Sequence, residues 1–199
     1  MDGGRTEAQT EIFREAIQKV HDIIDAGEPW TDPDFPPCDD SLRVPGSSSE
    51  PLCSHSYEWK RASEMYPDVK VFDSSISPSD INQGALGNCY FLAVLSAMAE
   101  NEENVRKRFI FTEPNAAGVY LVNLFINGYE TPVIVDDWFP SKWGRPAFCK
   151  THNGEIWPML LEKAWAKVHG SYMRTEGGQT AHATQHLLGI PAFTLNHDD

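Results

Sequence analysis

Cys89 stands in surroundings that favour covalent chemistry. The stretch from Asp80 to Glu103 reads D-I-N-Q-G-A-L-G-N-C-Y-F-L-A-V-L-S-A-M-A-E-N-E-E. A turn punctuated by Gly84 and Gly87 runs into the thiol, and an apolar run follows it. Phe91, Leu92, Val94, Leu95 and Met98 have helical spacing, with no Gly or Pro among them. The pattern predicts a helix with Asn88 as its N-cap, apolar nearly all round and therefore buried. Cys89 then falls in the first turn, where unpaired backbone N–H groups and the helix dipole favour an anion, and so a reactive thiolate. Gln83, upstream across the turn, can fold back and offer its side-chain amide to a developing oxyanion, with the Cys89 N–H as second donor. The competing reading is a buried, inert cysteine, the commoner fate of a lone thiol.

Other clusters are weaker. Cys53-Ser54-His55 together with Cys38 invites a metal reading but matches no zinc spacing. His182 and His186 are four apart, yet Ala183 stands where a metalloprotease helix needs Glu.

The elements that must hold Cys89 follow from periodicity. An amphipathic helix is expected from Glu7 to Ile24, ended by Gly27 and Pro29; docking on the core is its plainest role. Asp32 to Pro51, rich in Pro, Asp and Ser, reads as an extended, irregular wrap. Trp59 to Tyr66 reads as a short helix or turn feeding a strand at Val69 to Phe72. After the buried helix, Arg106, Lys107 and Arg108 sit near its expected C-terminal end, where cations suit the dipole. Val119 to Ile126 and Tyr129 to Val135 are strand-like and flank Asn127-Gly128, a strong hairpin signal. Asp136-Asp137 then leads into a loop holding Trp138, Pro140, Trp143 and Gly144. A helix is expected over Trp157 to His169, with Pro158 at its start and Gly170 at its end, and a last short one over Thr180 to Leu188. Helices and a hairpin around one buried helix define an α+β domain.

The whole composition is consistent with that. The chain has 199 residues, 41% of them hydrophobic, enough for one sizeable core. Its formal net charge of -13 argues against nucleic acid and anionic membrane as partners. Four scattered cysteines without a C-x-x-C suggest reduced thiols and a cytoplasmic setting. No apolar run approaches the roughly 18 residues of a transmembrane segment.

The wording of the nucleophile stretch says more than its spacing. Gln83 to Ala93, Q-G-A-L-G-N-C-Y-F-L-A, closely resembles the active-site segment of the calpain family, calcium-dependent cysteine proteases of papain-like type. Trp59-Lys60-Arg61, Val135-Asp136-Asp137 and Leu160-Leu161-Glu162-Lys163-Ala164-Trp165-Ala166-Lys167 also look like calpain core, so the resemblance runs from about Pro29 to Gly189. It departs at Asn88, where the family usually has Asp, and at Tyr90, where Trp is usual.

The resemblance implies a papain-like half-core, with the nucleophile at the N-terminus of a buried central helix. It would be the first of two core subdomains, with the catalytic His and Asn on the second. Three regions are expected: an N-terminal amphipathic helix at 1–28, read from periodicity and outside the resemblance; an extended segment at 29–56, where the calpain-like region starts; and the first core subdomain at 57–199, as the resemblance implies. Only 110 residues follow Cys89, whereas papain-like enzymes carry His and Asn roughly 130–150 residues on. His152, His169, His182, His186 and His197 match no catalytic position, so the second subdomain is expected to be absent here. The implied reaction is limited cleavage of intracellular polypeptides through a Cys89 thioester, with Gln83 in the oxyanion hole. The implied partners are the polypeptide substrate and the missing subdomain or further calpain domains. The implied cofactor is Ca2+, held by the carboxylates of Asp80 and Glu155 and by loop carbonyls near Asp73 and Ser75. A non-catalytic calpain-like regulatory or interaction protein that binds partners or calcium through the retained fold is the alternative.

Overall fold

The computed structural model describes residues 5–44, 57–151 and 153–195; Cys53, His55, His152 and His197 lie outside them. Helix α1 spans Glu7–Asp25, opened by a capping box in which Thr6 and Gln9 satisfy each other's backbone N–H groups. Its apolar stripe buries Val20 against Ala117, Val119 and Leu121. The first helix thus lies on the hairpin described next.

Strands β2 (Val119–Ile126) and β3 (Tyr129–Asp136) form an antiparallel hairpin in register from Val119↔Asp136 to Ile126↔Tyr129. Asn127 and Gly128 take the left-handed conformations (φ 52° and 82°) that a type I′ turn requires. A second sheet is built from distant pieces. Strand β1 (Glu58–Arg61) pairs antiparallel with β4 (Trp138–Lys142), and β4 with β5 (Arg145–Pro146). The expected aromatic loop after Asp137 is therefore mostly strand. The expected strand at Val69 to Phe72 is reduced to one parallel bridge, Lys70↔Glu155.

Two short helices, α2 (Asp39–Leu42) and α3 (Ala62–Met65), precede the central one. Helix α4 (Cys89–Ala99) spans the apolar run and ends before Arg106 to Arg108, near which its C-terminus was expected. Asn101 caps a separate short helix, α5 (Glu102–Arg106), by accepting the Glu103 N–H. The cations at Arg106 and Lys107 pair with Glu102 and Glu103 of that helix, while Arg108 is buried with its guanidinium over the Phe125 ring. Helix α6 (Trp157–His169) starts with Pro158 in its first turn and ends at Gly170, φ 92°. Helix α7 (Thr180–Leu188) closes the described fold.

Helices α4 and α6 form the centre. Phe91 stacks on Trp165 with ring centroids 5.1 Å apart, and Leu95, Leu160, Leu161 and Ala164 are fully buried. Burying each such Leu contributes about 1.5–3 kcal/mol. Helix α4 is not buried all round: Cys89, Ala93 and Ala97 form one exposed line. Helix α6 also carries one cation into the core and a second to its edge. Lys163, fully buried, donates to Asp136 and, at 2.6 Å, to the Trp138 carbonyl. Lys167 binds Asp32 at 2.6 Å, and the Asp32 N–H donates to Asp136 at 2.7 Å. These bonds fasten the helix to the end of the hairpin and to the N-terminal wrap. The result is a mixed, α+β arrangement. Among the described residues, no helix is long and apolar enough to cross a membrane.

Candidate active site

Cys89 is exposed at the N-terminus of α4, while the body of the helix behind it is packed against α6. Cys38 is also exposed and Cys149 is buried; all three thiols are free. Burial, and then the charge of Glu162, push the Cys149 thiol well above its ordinary range, which makes it a poor nucleophile.

The turn before Cys89 is held from two directions. The backbone of Asn82 exchanges hydrogen bonds with Lys150 (2.9 and 2.8 Å), and the Ala85 N–H donates to the Ala147 carbonyl at 2.9 Å. Gly84 fits between them because it has no side chain: a Cβ there would lie 1.9 Å from the Phe148 carbonyl oxygen. From the other side, the Gly177 N–H donates to the Gly87 carbonyl at 2.9 Å, and the Gly87 N–H donates to Glu176 at 3.4 Å. Tyr90 anchors the same segment, its hydroxyl donating to the Thr175 carbonyl at 3.0 Å while its ring lies over Gly178. Gln83 does fold back across the turn. Its Nε2 donates to the Leu86 carbonyl at 3.2 Å, which leaves its second amide hydrogen uncommitted.

Asn88 occupies the N-cap position without capping through its side chain. That side chain is buried, and its Nδ2 donates to Glu162 Oε1 at 2.8 Å. The other oxygen of Glu162 accepts the Cys149 N–H at 3.0 Å. A buried tertiary carboxylate has outcompeted the local cap. Burial pushes the Glu162 carboxyl up to about 7, against the opposing pull of these two donors. Sequence reasoning read Glu162 only as part of a helical motif. The signal was there: an acid among the buried-face residues Leu160, Leu161, Ala164 and Trp165.

The residues expected to hold calcium lie around one loop. The Ser77 N–H donates to Asp80 at 2.6 Å, and the Asp73 N–H donates to Glu155 at 2.7 Å. Glu155, only 3% exposed, is raised above its ordinary range mainly by burial, with Asp80 and Asp73 adding to it. Asp73 also faces Lys70, 3.5 Å away. Ser75 is exposed. Two mutually repelling carboxylates beside an irregular loop are a hard-oxygen donor set of the kind calcium takes. Among the described residues, no three His, Cys, Asp or Glu side chains gather closely enough to hold a metal by themselves. Backbone carbonyls would have to complete the shell. His169 and His186, beside Trp165, each place Nδ1 on a backbone carbonyl, of Trp165 and His182 respectively.

An exposed thiol on a buried helix, with a Gln folded across the preceding Gly turn, is an arrangement suited to a cysteine-dependent acyl-transfer site. Residues 30–199 match the family model for calpain family cysteine proteases; the chain belongs to that family. It is similar to the calpain-type cysteine protease DEK1 of Zea mays, 35% identical over 93% of this chain and 9% of the relative. It also resembles calpain-5 of Caenorhabditis elegans (31%, covering 96% of this chain and 30% of the relative) and the calpain-2 catalytic subunit of Rattus norvegicus (32%, covering 85% and 25%). The chain therefore spans less than a third of the length of these relatives.

Proposed function

We propose that this chain is the nucleophile-bearing, papain-like half of a calcium-dependent cysteine endopeptidase core. The observation that carries the reading is the exposed Cys89 at the start of a packed helix, with Gln83 drawn back across the turn. Cys89 Sγ attacks the carbonyl carbon of an extended substrate. The oxyanion takes hydrogen bonds from the Cys89 N–H and the free Gln83 amide hydrogen. The C–N bond breaks to give a thioester and an amine, which water then resolves to acid and thiol. The proton is carried by a histidine oriented by Asn, both supplied by a second subdomain. Asp80, Glu155 and the carbonyls of Asp73 and Ser75 would hold calcium. When bound, the ion would supply a fixed positive charge tying the loop before Asp80 to Glu155. Free thiols fit a reducing, cytoplasmic setting.

The test is competitive alkylation with iodoacetamide at pH 7, read by mass spectrometry. Cys38 is exposed and serves as an internal standard for accessibility alone. Cys89 should label clearly ahead of Cys38, with Cys149 last. Equal or faster labelling of Cys38 would refute an activated Cys89.

A further inference from the structure

In this chain acidic residues outnumber basic ones, 29 to 16, and most cations deep in the fold are bound to carboxylates, as Arg61, Lys163 and Lys167 are. At the surface, three cations gather around one cleft. A cleft of about 740 Å³ lies against the turn that carries Cys89, with Ala85 in one wall and Tyr57 in another. Its remaining rim includes Lys142, Trp143, Arg145 and Lys150. None of the three cations has an ion pair with any described residue. Lys142 instead lies 4.7 Å from the centre of the Trp143 ring.

The rim is built to hold these groups outward. Trp143 and Gly144 form the two-residue turn between β4 and β5, both with left-handed φ (55° and 72°), and Lys142 pairs with Arg145 across it. A bulky aromatic at such a position is unfavourable by about 1 kcal/mol or more, and it leaves Trp143 89% exposed. Lys150 reaches the same cleft from the backbone pair with Asn82, within the segment that positions Gln83. The carboxylate whose charge reaches Tyr57 is Glu176, which also accepts the Gly87 N–H on the far side of the turn.

We propose that the Lys142–Trp143–Arg145–Lys150 rim is a docking subsite for an acidic polypeptide stretch adjoining the residues presented to Cys89. Three cations without an ion pair among the described residues would attract carboxylates, and the exposed indole would cover apolar parts of the same stretch. This rests on the protease reading for its purpose, since the stretch would belong to the substrate. Its binding can be measured without catalysis.

The experiment titrates the 199-residue chain into fluorescein-labelled decapeptides rich in Asp/Glu, in Ser/Gly or in Lys, following anisotropy. The acidic peptide should bind best, and weaken as salt shortens the Debye length. Lys142→Gln, Arg145→Gln and Lys150→Gln should each weaken it roughly two- to fivefold. Trp143→Ala should weaken it too, and Lys19→Gln, the same charge change on helix α1, should not. Equal binding of acidic and Ser/Gly peptides, or indifference to the three substitutions, overturns the proposal. Tighter binding of a single-stranded oligonucleotide of matched charge also overturns it. Failure of Cys89 to label preferentially would strike the protease reading while leaving this binding result intact.

Discussion

Glu162→Gln should remove most of a pH dependence that the buried carboxyl imposes on stability. In the folded chain the group titrates near 7, against about 4.5 in its ordinary setting. A group raised in this way favours folding in full below the unfolded value and loses that contribution as pH rises towards the folded one. At about 1.4 kcal/mol per pH unit, the full interval amounts to ~3 kcal/mol, of which ~2 kcal/mol falls between pH 5 and pH 7.5. The geometry explains why the neutral form is tolerated. With Glu162 ionised, Asn88 Oδ1 is buried without a partner. Protonated, Glu162 can donate to that oxygen once the amide turns over, while its carbonyl keeps the Cys149 N–H. Gln reproduces this neutral pattern, with Nε2 donating to Asn88. Urea denaturation at pH 5, 6.5 and 7.5 gives the difference between the two proteins, and other titrating groups, such as His169, cancel. The variant should gain ~2 kcal/mol on wild type across that range. Parallel pH profiles would refute the argument.

Gly84→Ala forces a Cβ into the Phe148 carbonyl; it should cost about 1–3 kcal/mol and erase any labelling advantage of Cys89 over Cys38. Lys163→Met strands the buried Asp136 carboxylate and should lower unfolding free energy by about 3–5 kcal/mol, measured by urea denaturation; a loss under 1 kcal/mol would mean that water or another donor replaces the amine. Calorimetric titration should show calcium binding at millimolar concentration or tighter, lost in Asp80→Ala and in Glu155→Ala; no heat from the unaltered chain would remove the site.

The hairpin and helix α6 were legible because their signals are local. Asn127-Gly128 dictates its own turn, and Pro158 and Gly170 bracket a helix whose bounds match the structure. Strand β4 was not legible. It contains Pro140, and its partner β1 lies nearly eighty residues earlier in the chain. The end of α4 was hidden because the apolar run fades without Gly or Pro, and the break is set by the cap at Asn101. Asn88 was placed correctly at the helix start, but its side chain answers to Glu162, which only the packing of α6 brings near. The motifs Val135-Asp136-Asp137 and Leu160 to Lys167 meet in space: Lys163 binds Asp136, and Arg61 of Trp59-Lys60-Arg61 binds Asp137 at 2.6 Å.

The dual anchoring of the Gly84–Gly87 turn has a consequence for the order of assembly. One anchor comes from residues 147–150 and the other from Glu176 and Gly177. A ribosome-bound chain that has released only the helix beginning at Cys89 has neither. Local helix formation is fast, but these closures join residues separated by sixty to ninety positions and must await synthesis of the later segments. The thiol is therefore emitted early and aligned late, so a nascent chain carries the nucleophile through the next sixty to ninety residues of synthesis without the full turn that would aim it.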